Sequence, residues 1–290
     1  ISAVENPGDG SYYIEILTDE IARKAWDFFK LIEKQGGVQK ALEANIIQGE
    51  IGRSSETKQQ ALATRELVLT GINNYPDPEQ SLPDNLFRSV PKDSLHQSDE
   101  EPPIDTDDII KSLSKAFAKG AKIGDVIDSF LSPQKQLYPA LNTYRAAEPF
   151  ERLRLNTQQM SAKRVREVTV QLVPVGHKKM RKARATFSQN YLGCAGFRVE
   201  NHIGFDSVAD AADEIAAAEA DIVVLCGADH EYPDLVPEFG NLFGEESVLI
   251  LAGHPKEHEE TYKDAGIDFF IYTGSNMLET LRSIQNHIKQ

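Results

Sequence analysis

Only two cysteines, one tryptophan and three methionines occur in 290 residues, and no apolar run approaches the roughly 20 residues of a membrane span. Two thiols cannot make the disulfide framework of a small secreted domain. Cys194 and Cys226 fall in a predicted helix and a predicted buried strand, so both are read as reduced core residues. The opening ISAVENPGDGSYY has neither the basic start nor the apolar centre of a signal peptide, and its lack of a Met is read as a start inside a longer protein. These features predict a cytoplasmic chain with no membrane partner. No G-x-G-x-x-G and no Walker loop is present, which argues against dinucleotide and P-loop nucleotide sites.

Basic residues are also in deficit, 31 Lys and Arg against 45 Asp and Glu, and a net charge of −14 argues against a nucleic-acid binder. The distribution is uneven. Residues 76–108 hold ten acidic side chains against Arg88 and Lys92, together with six of the fourteen prolines. Such a segment has too little apolar surface to offset its own ordering and reads as an extended or draped linker. By contrast, residues 163–184 hold eight Lys or Arg against Glu167 alone. The plainer reading of that run is a solvated helix face with salt-bridge partners.

With 40% hydrophobic and 26% charged residues, the chain is long enough for about two domains. Residues 1–75 read as helical: Thr18-Asp19-Glu20 precedes a run with Ile21, Ala25, Phe28, Phe29 and Ile32 at helical spacing, Gly36-Gly37 stops it, and a second helix is predicted at about 55–70. Residues 109–163 read as a helical connector after the 76–108 linker. From 164 to 290 the pattern changes. Strand-like runs at 168–174, 197–200, 221–226, 247–252 and 267–272 alternate with helical runs near 179–194, 207–219, 233–243, 255–265 and 276–288.

Five such units predict an α/β domain with a five-stranded doubly wound parallel sheet, flavodoxin-like, because parallel strands need helical crossovers and runs such as DIVVLC and SVLILA imply burial on both faces. Strand order 2-1-3-4-5 is expected. The ligand cleft of this fold lies beyond the carboxyl ends of strands one and three. Gly176 to Arg184, Cys226 to Glu231, Ala252-Gly253-His254 and Thr273-Gly274-Ser275 would line it, with Gly253 and Gly274 read as tight turns.

Three stretches carry a family resemblance: NPGDGSYYIEILTDEIARKAWDFFKLIEKQGG, TRELVLTGINNYP and YRAAEPFERLR. The first resembles the end of the barrel domain of methylmalonyl-CoA mutases, the others the pieces that follow it, and the C-terminal domain is similar to the cobalamin-binding domain of the same enzymes. The resemblance implies that residues 1–75 are the helical tail of a TIM barrel and that 164–290 are a cobalamin-binding-like domain. Family chains that hold the cofactor carry Asp-x-His-x-x-Gly after strand one. Counting back without gaps from Gly196-Phe197-Arg198-Val199 puts Lys179, Arg181 and Arg184 at those three positions, with His177 out of register.

A guanidinium has no lone pair for cobalt, and Arg184 has bulk where bare backbone is wanted. The family's Ser-x-Leu would fall on Cys226-Gly227-Ala228, and only the turns at Gly253 and Gly274 remain recognisable. The resemblance therefore implies the non-catalytic small subunit of a heterodimeric mutase. Its large-subunit partner would carry adenosylcobalamin, and this chain would hold no cofactor and be inactive alone. In that reading the basic loop makes subunit contacts or closes the cleft on Asp229, Glu231 or the acidic linker. An alternative reading is a module that binds an anion, a phosphate or the CoA nucleotide, on Lys178, Lys179, Arg181 and the following helix N-terminus.

Other constellations are weaker. His254 and His258, with Asp229, His230 and Glu231, could compose a zinc site but read better as solvated helix-start residues. Ser188 and Cys194 lack a local partner for nucleophilic work. Tyr12 and Tyr13 read as packed residues.

Overall fold

In a computed structural model, residues 5–83, 86–87, 107–130, 139, 144–215, 218–244 and 247–288 are described. Most of the acidic, proline-rich stretch lies outside them. The chain divides into two units, residues 1–54 with 88–143 and residues 55–87 with 144–290.

The first unit holds helices α1 (Tyr12–Lys34), α2 (Val38–Glu43), the start of α3 (Ile46–Ala63), α4 (Ile109–Ala118) and α5 (Ile123–Phe130). Helix α1 begins earlier than the Thr18-Asp19-Glu20 signal predicts. Ser11 is its N-cap residue, and the Thr18 hydroxyl donates to the Ile14 carbonyl inside the helix instead of capping a new one. Its stop is the expected one: Gly36 and Gly37 take φ of +95° and +97°, and their amides close on Glu33 and Ile32 carbonyls. The helix placed at 55–70 instead runs from Ile46 to Ala63, so its start was missed, as was α2. Helix α1 buries none of its residues. Tyr12 and Tyr13, expected to be packed, are 82% and 74% exposed, because they stand in the first turn of this unburied helix.

The second unit is built on a parallel sheet of β1 (Thr169–Pro174), β2 (Arg198–Glu200), β3 (Ile222–Cys226), β4 (Val248–Leu251) and β5 (Phe269–Phe270), in the order β2-β1-β3-β4-β5. This is the expected fold and order. Helices α6 (Glu148–Arg164), α7 (Lys178–Gly193), α8 (Val208–Ile215), α9 (Tyr232–Phe243), α10 (Glu259–Asp264, after a 3-10 turn at Lys256–His258) and α11 (Met277–Ile288) complete it.

Alternation along each strand divides the core between two faces. Val170, Leu172, Ile222, Val224 and Ile250 pack with Phe150, Leu153, Tyr191, Leu192, Leu281 and Ile284 from α6, α7 and α11. Val173, Val223, Leu225 and Leu249 pack with Val208, Ala211, Val236, Phe239 and Tyr262 from α8, α9 and α10. Each fully buried aliphatic side chain contributes roughly 1.5–3 kcal/mol.

Residues 55–87 are held to this sheet unit through α6. Arg154 is buried and donates to the carbonyls of Gly71, Ile72 and Cys194 and to the Gln80 side chain. Burial lowers its pKa from the usual guanidinium range, with the carbonyls satisfying its donors. Asn73, also buried, ties the same segment by donating to the carbonyls of Leu62 and Leu67.

Candidate functional site

Four loops meet at the carboxyl end of the sheet: 175–178 after β1, 227–231 after β3, 252–256 after β4 and 271–276 after β5. They are the loops expected to line the cleft. Side chains of the chain itself occupy part of the space between them.

Tyr232, the first residue of α9, is 2% exposed and lies between Gly227 and Gly253. Its hydroxyl accepts from the Gly227 amide at 3.1 Å and donates to the Ala252 carbonyl at 2.7 Å. Burial holds that phenol well above its ordinary pKa, so it stays a neutral donor. The glycines follow from the ring. A Cβ on Gly253 would come within 2.9 Å of the Tyr232 ring, and one on Gly227 within 3.2 Å. Gly253 thus serves close approach and does not have the positive φ of a tight turn, whereas Gly274, at φ +90° with open space around it, is the turn expected.

The basic cluster does not converge on one point. Helix α7 starts at Lys178 with His177 as N-cap, and Lys178, Lys179 and Lys182 are exposed and form no ion pair among the described residues. Arg181 folds back over Gly204 and donates to the Phe205 carbonyl at 3.0 Å. Arg184 bonds Asp229 at 2.7 Å. Glu231, expected as another partner for these cations, instead accepts from the backbone amides of His177 and Ala228.

Deeper in, Ser188 is buried, donates to the Arg184 carbonyl and stands 3.6 Å from Cys226 Sγ. Burial pushes the Cys226 thiol up to about 12 and Cys194 to about 11, so neither is a thiolate near neutrality. Tyr191 closes the far side with a 3.1 Å bond between its hydroxyl and that of Ser275. His254 leans on Tyr272 and its Nδ1 accepts from the Lys256 amide, while His258 leans on Tyr262. Among the described residues no three His, Cys, Asp or Glu are grouped to hold a metal. Sequence reasoning missed Tyr232 and Tyr191; the signal available was a pair of glycines at two neighbouring strand ends with an aromatic just beyond the first.

The amino end of the sheet carries a cavity of about 580 Å3 lined by Arg164, Arg166, Asp213, Glu219, Asp221, Ser247 and neighbours. Its arginines are already engaged, Arg164 and Arg166 with Asp221 at 2.7 and 2.9 Å. It also lies away from the loops at the strand ends where this fold class binds ligands.

A family profile described as methylmalonyl-CoA mutase matches residues 1–101. The chain is 32% identical over 283 residues to the methylmalonyl-CoA mutase small subunit of Porphyromonas gingivalis, covering 98% of this chain and 39% of that protein. It is 24% identical to the small subunit of Streptomyces virginiae over 98% of this chain and 38% of that one. Over a 75-residue stretch, 26% of this chain, it is 37% identical to a methylmalonyl-CoA mutase of Rhizobium meliloti, covering 10% of that protein. The chain spans about two fifths of the length of the small-subunit relatives it matches.

Proposed function

Since the chain belongs to the methylmalonyl-CoA mutase family, we propose that it is the back portion of a small subunit that assembles with and stabilises a large subunit and carries no cobalamin of its own. In this reading the large subunit binds adenosylcobalamin and isomerises methylmalonyl-CoA to succinyl-CoA. A corrin seated over the sheet would need an imidazole below its metal, a carboxylate to orient that imidazole, and bare backbone against the ring. The residues present do not fit it. On an ungapped count Lys179, Arg181 and Arg184 fall at those positions, and His177 is the exposed N-cap of α7.

The observation that carries the reading is Tyr232, which fills the space between the β3 and β4 loops and is hydrogen-bonded to both. The cations support assembly over small-anion binding, since Arg181 is tied to the Gly176 and Phe205 carbonyls and Arg184 to Asp229 on another loop. The test is titration with adenosylcobalamin followed by the corrin absorption. No saturable binding is expected. Binding in the low micromolar range, with a spectrum showing protein imidazole displacing the cofactor's own base, would overturn the reading. Turnover by this chain alone with added cofactor would overturn it as well, whereas turnover only after mixing with a large subunit agrees with it.

A further inference from the structure

The Glu231 carboxylate joins the loops that leave the paired strands β1 and β3, beyond the last ladder pair Pro174–Cys226. Both of its oxygens face the His177 amide, at 3.0 and 3.2 Å, and Oε2 also accepts from the Ala228 amide at 3.0 Å. The first donor opens α7 after β1; the second belongs to the loop after β3. The carboxylate is seated against Gly176, at φ +80°, where an added Cβ would collide with both of its oxygens and its carboxyl carbon. Two amides from separate loops, a helix start and a recess kept open by glycine make the setting in which a free anion is ordinarily bound.

We infer that Glu231 is a built-in ligand, an autoinhibitory contact whose carboxylate occupies the anion position at the start of α7, locks the β1 and β3 loops together and bars a free carboxylate or phosphate from entering. This holds whether or not the chain serves a mutase. It gives the cation-rich helix start a carboxylate of its own, since the N-cap amide of His177 already faces one held by the fold. It also explains Gly176, which the sequence marked only as a loop residue.

The experiment is removal and rescue. Glu231→Ala leaves a carboxylate-sized recess with two unpaired amides. Hydrogen exchange at the His177 and Ala228 amides is expected to rise roughly tenfold, with a lower melting temperature, since bonds to a charged acceptor are the stronger ones. Formate or acetate should restore protection and melting temperature saturably, while chloride at matched ionic strength should not. Unchanged exchange, or a loss that no formate, acetate or phosphate restores, would overturn the inference. Glu231→Gln keeps the size and one acceptor oxygen but no charge, and is expected to lose protection at one or both amides; full protection at both in that variant would overturn it too. Gly176→Ala supplies a separate check. Its cost should be smaller in the Glu231→Ala background than in the native chain, because the collision is removed, and strict additivity would contradict the inference.

Discussion

At the carboxyl end of the sheet, Arg181 and Arg184 are bound to a carbonyl and to Asp229 on different loops, and Tyr232 fills the space between. At the amino end, Arg164 and Arg166 converge on the single buried carboxylate of Asp221, and a cavity of about 580 Å3 stays open beside them. The Tyr232 ring thus occupies part of the end where this fold class binds ligands, while at the amino end the two arginines beside the cavity already share a carboxylate. Volume alone does not mark a site. What distinguishes the ends is how their polar groups are engaged: at the carboxyl end tyrosine, glutamate and arginine are bound by the chain itself, while Lys178, Lys179 and Lys182 stay exposed.

The most damaging way to test that contrast is at the amino end. Asp221 is 4% exposed in its side chain and takes both arginines and the Thr169 amide. Asp221→Ala leaves those donors without an acceptor and should cost about 3 kcal/mol, read by urea unfolding. Asp221→Asn, which keeps one acceptor, should cost less. If the clamp is what keeps the cavity's rim in place, the alanine variant should also lose amide protection at Thr169 while Gly227 keeps its own.

Alkali loads the core and the filled end without touching the amino-end clamp. The Cys226 thiol keeps its proton to about pH 12 and Cys194 to about 11, against an ordinary value of 9.0. Above pH 9 the unfolded chain releases protons that the folded chain retains, so the stability is complete below pH 9 and falls as pH rises toward the folded values. The slope approaches about 1.4 kcal/mol per pH unit for each thiol. Unfolding measured from pH 8 to pH 10 should show a loss of roughly 2–3 kcal/mol by the upper limit. Cys226→Val, close in volume, should flatten the slope by about half.

At the carboxyl end itself, Tyr232→Phe keeps the ring but strands the Gly227 amide and the Ala252 carbonyl, at a cost of about 1–2 kcal/mol. Faster exchange at the Gly227 amide should accompany it. If the cleft opens far enough to take cobalamin in this variant, the tyrosine hydroxyl alone closes it; no binding is expected, because the ring still fills the space.

The sheet was legible because its strands are near-continuous apolar runs separated by helical ones; its order was an expectation from the fold class that the ladder bears out. Ends were less so. The run IDFFIY at 267–272 predicts a six-residue strand, yet only Phe269 and Phe270 make ladder pairs, because β5 is an edge strand beside a four-residue β4. In the helical part, Thr18 looks like a cap but its hydroxyl closes on its own helix. The loops lie where they were expected, and the pairing of Arg184 with Asp229 was among the expectations; the part of Tyr232 was not. That Gly253 yields to a tyrosine twenty-one residues earlier, or that Glu231 answers to the His177 amide, depends on contacts across the sheet that no local pattern carries. The hub at Arg154 is hidden in the same way, since backbone carbonyls, which have no sequence signature, are most of its partners.

The smallest expected effect concerns the Arg184–Asp229 ion pair of the cleft, and it decides what closes that end. Arg184 and Asp229 are 21% and 48% exposed in their side chains, so water screens the pair and its loss should cost only about 0.5–1 kcal/mol. Arg184→Ala should therefore lower the melting temperature slightly, and the difference from the native chain should shrink in roughly 1 M salt, where charges are screened within about 3 Å. The Tyr232 hydroxyl keeps its partners in this variant, since neither belongs to the pair. Exchange at the Gly227 amide should then remain as slow as in the native chain. A fall above about 2 kcal/mol, or a freed Gly227 amide, would show that the ion pair governs closure and that the two ends of the sheet are both held by charge.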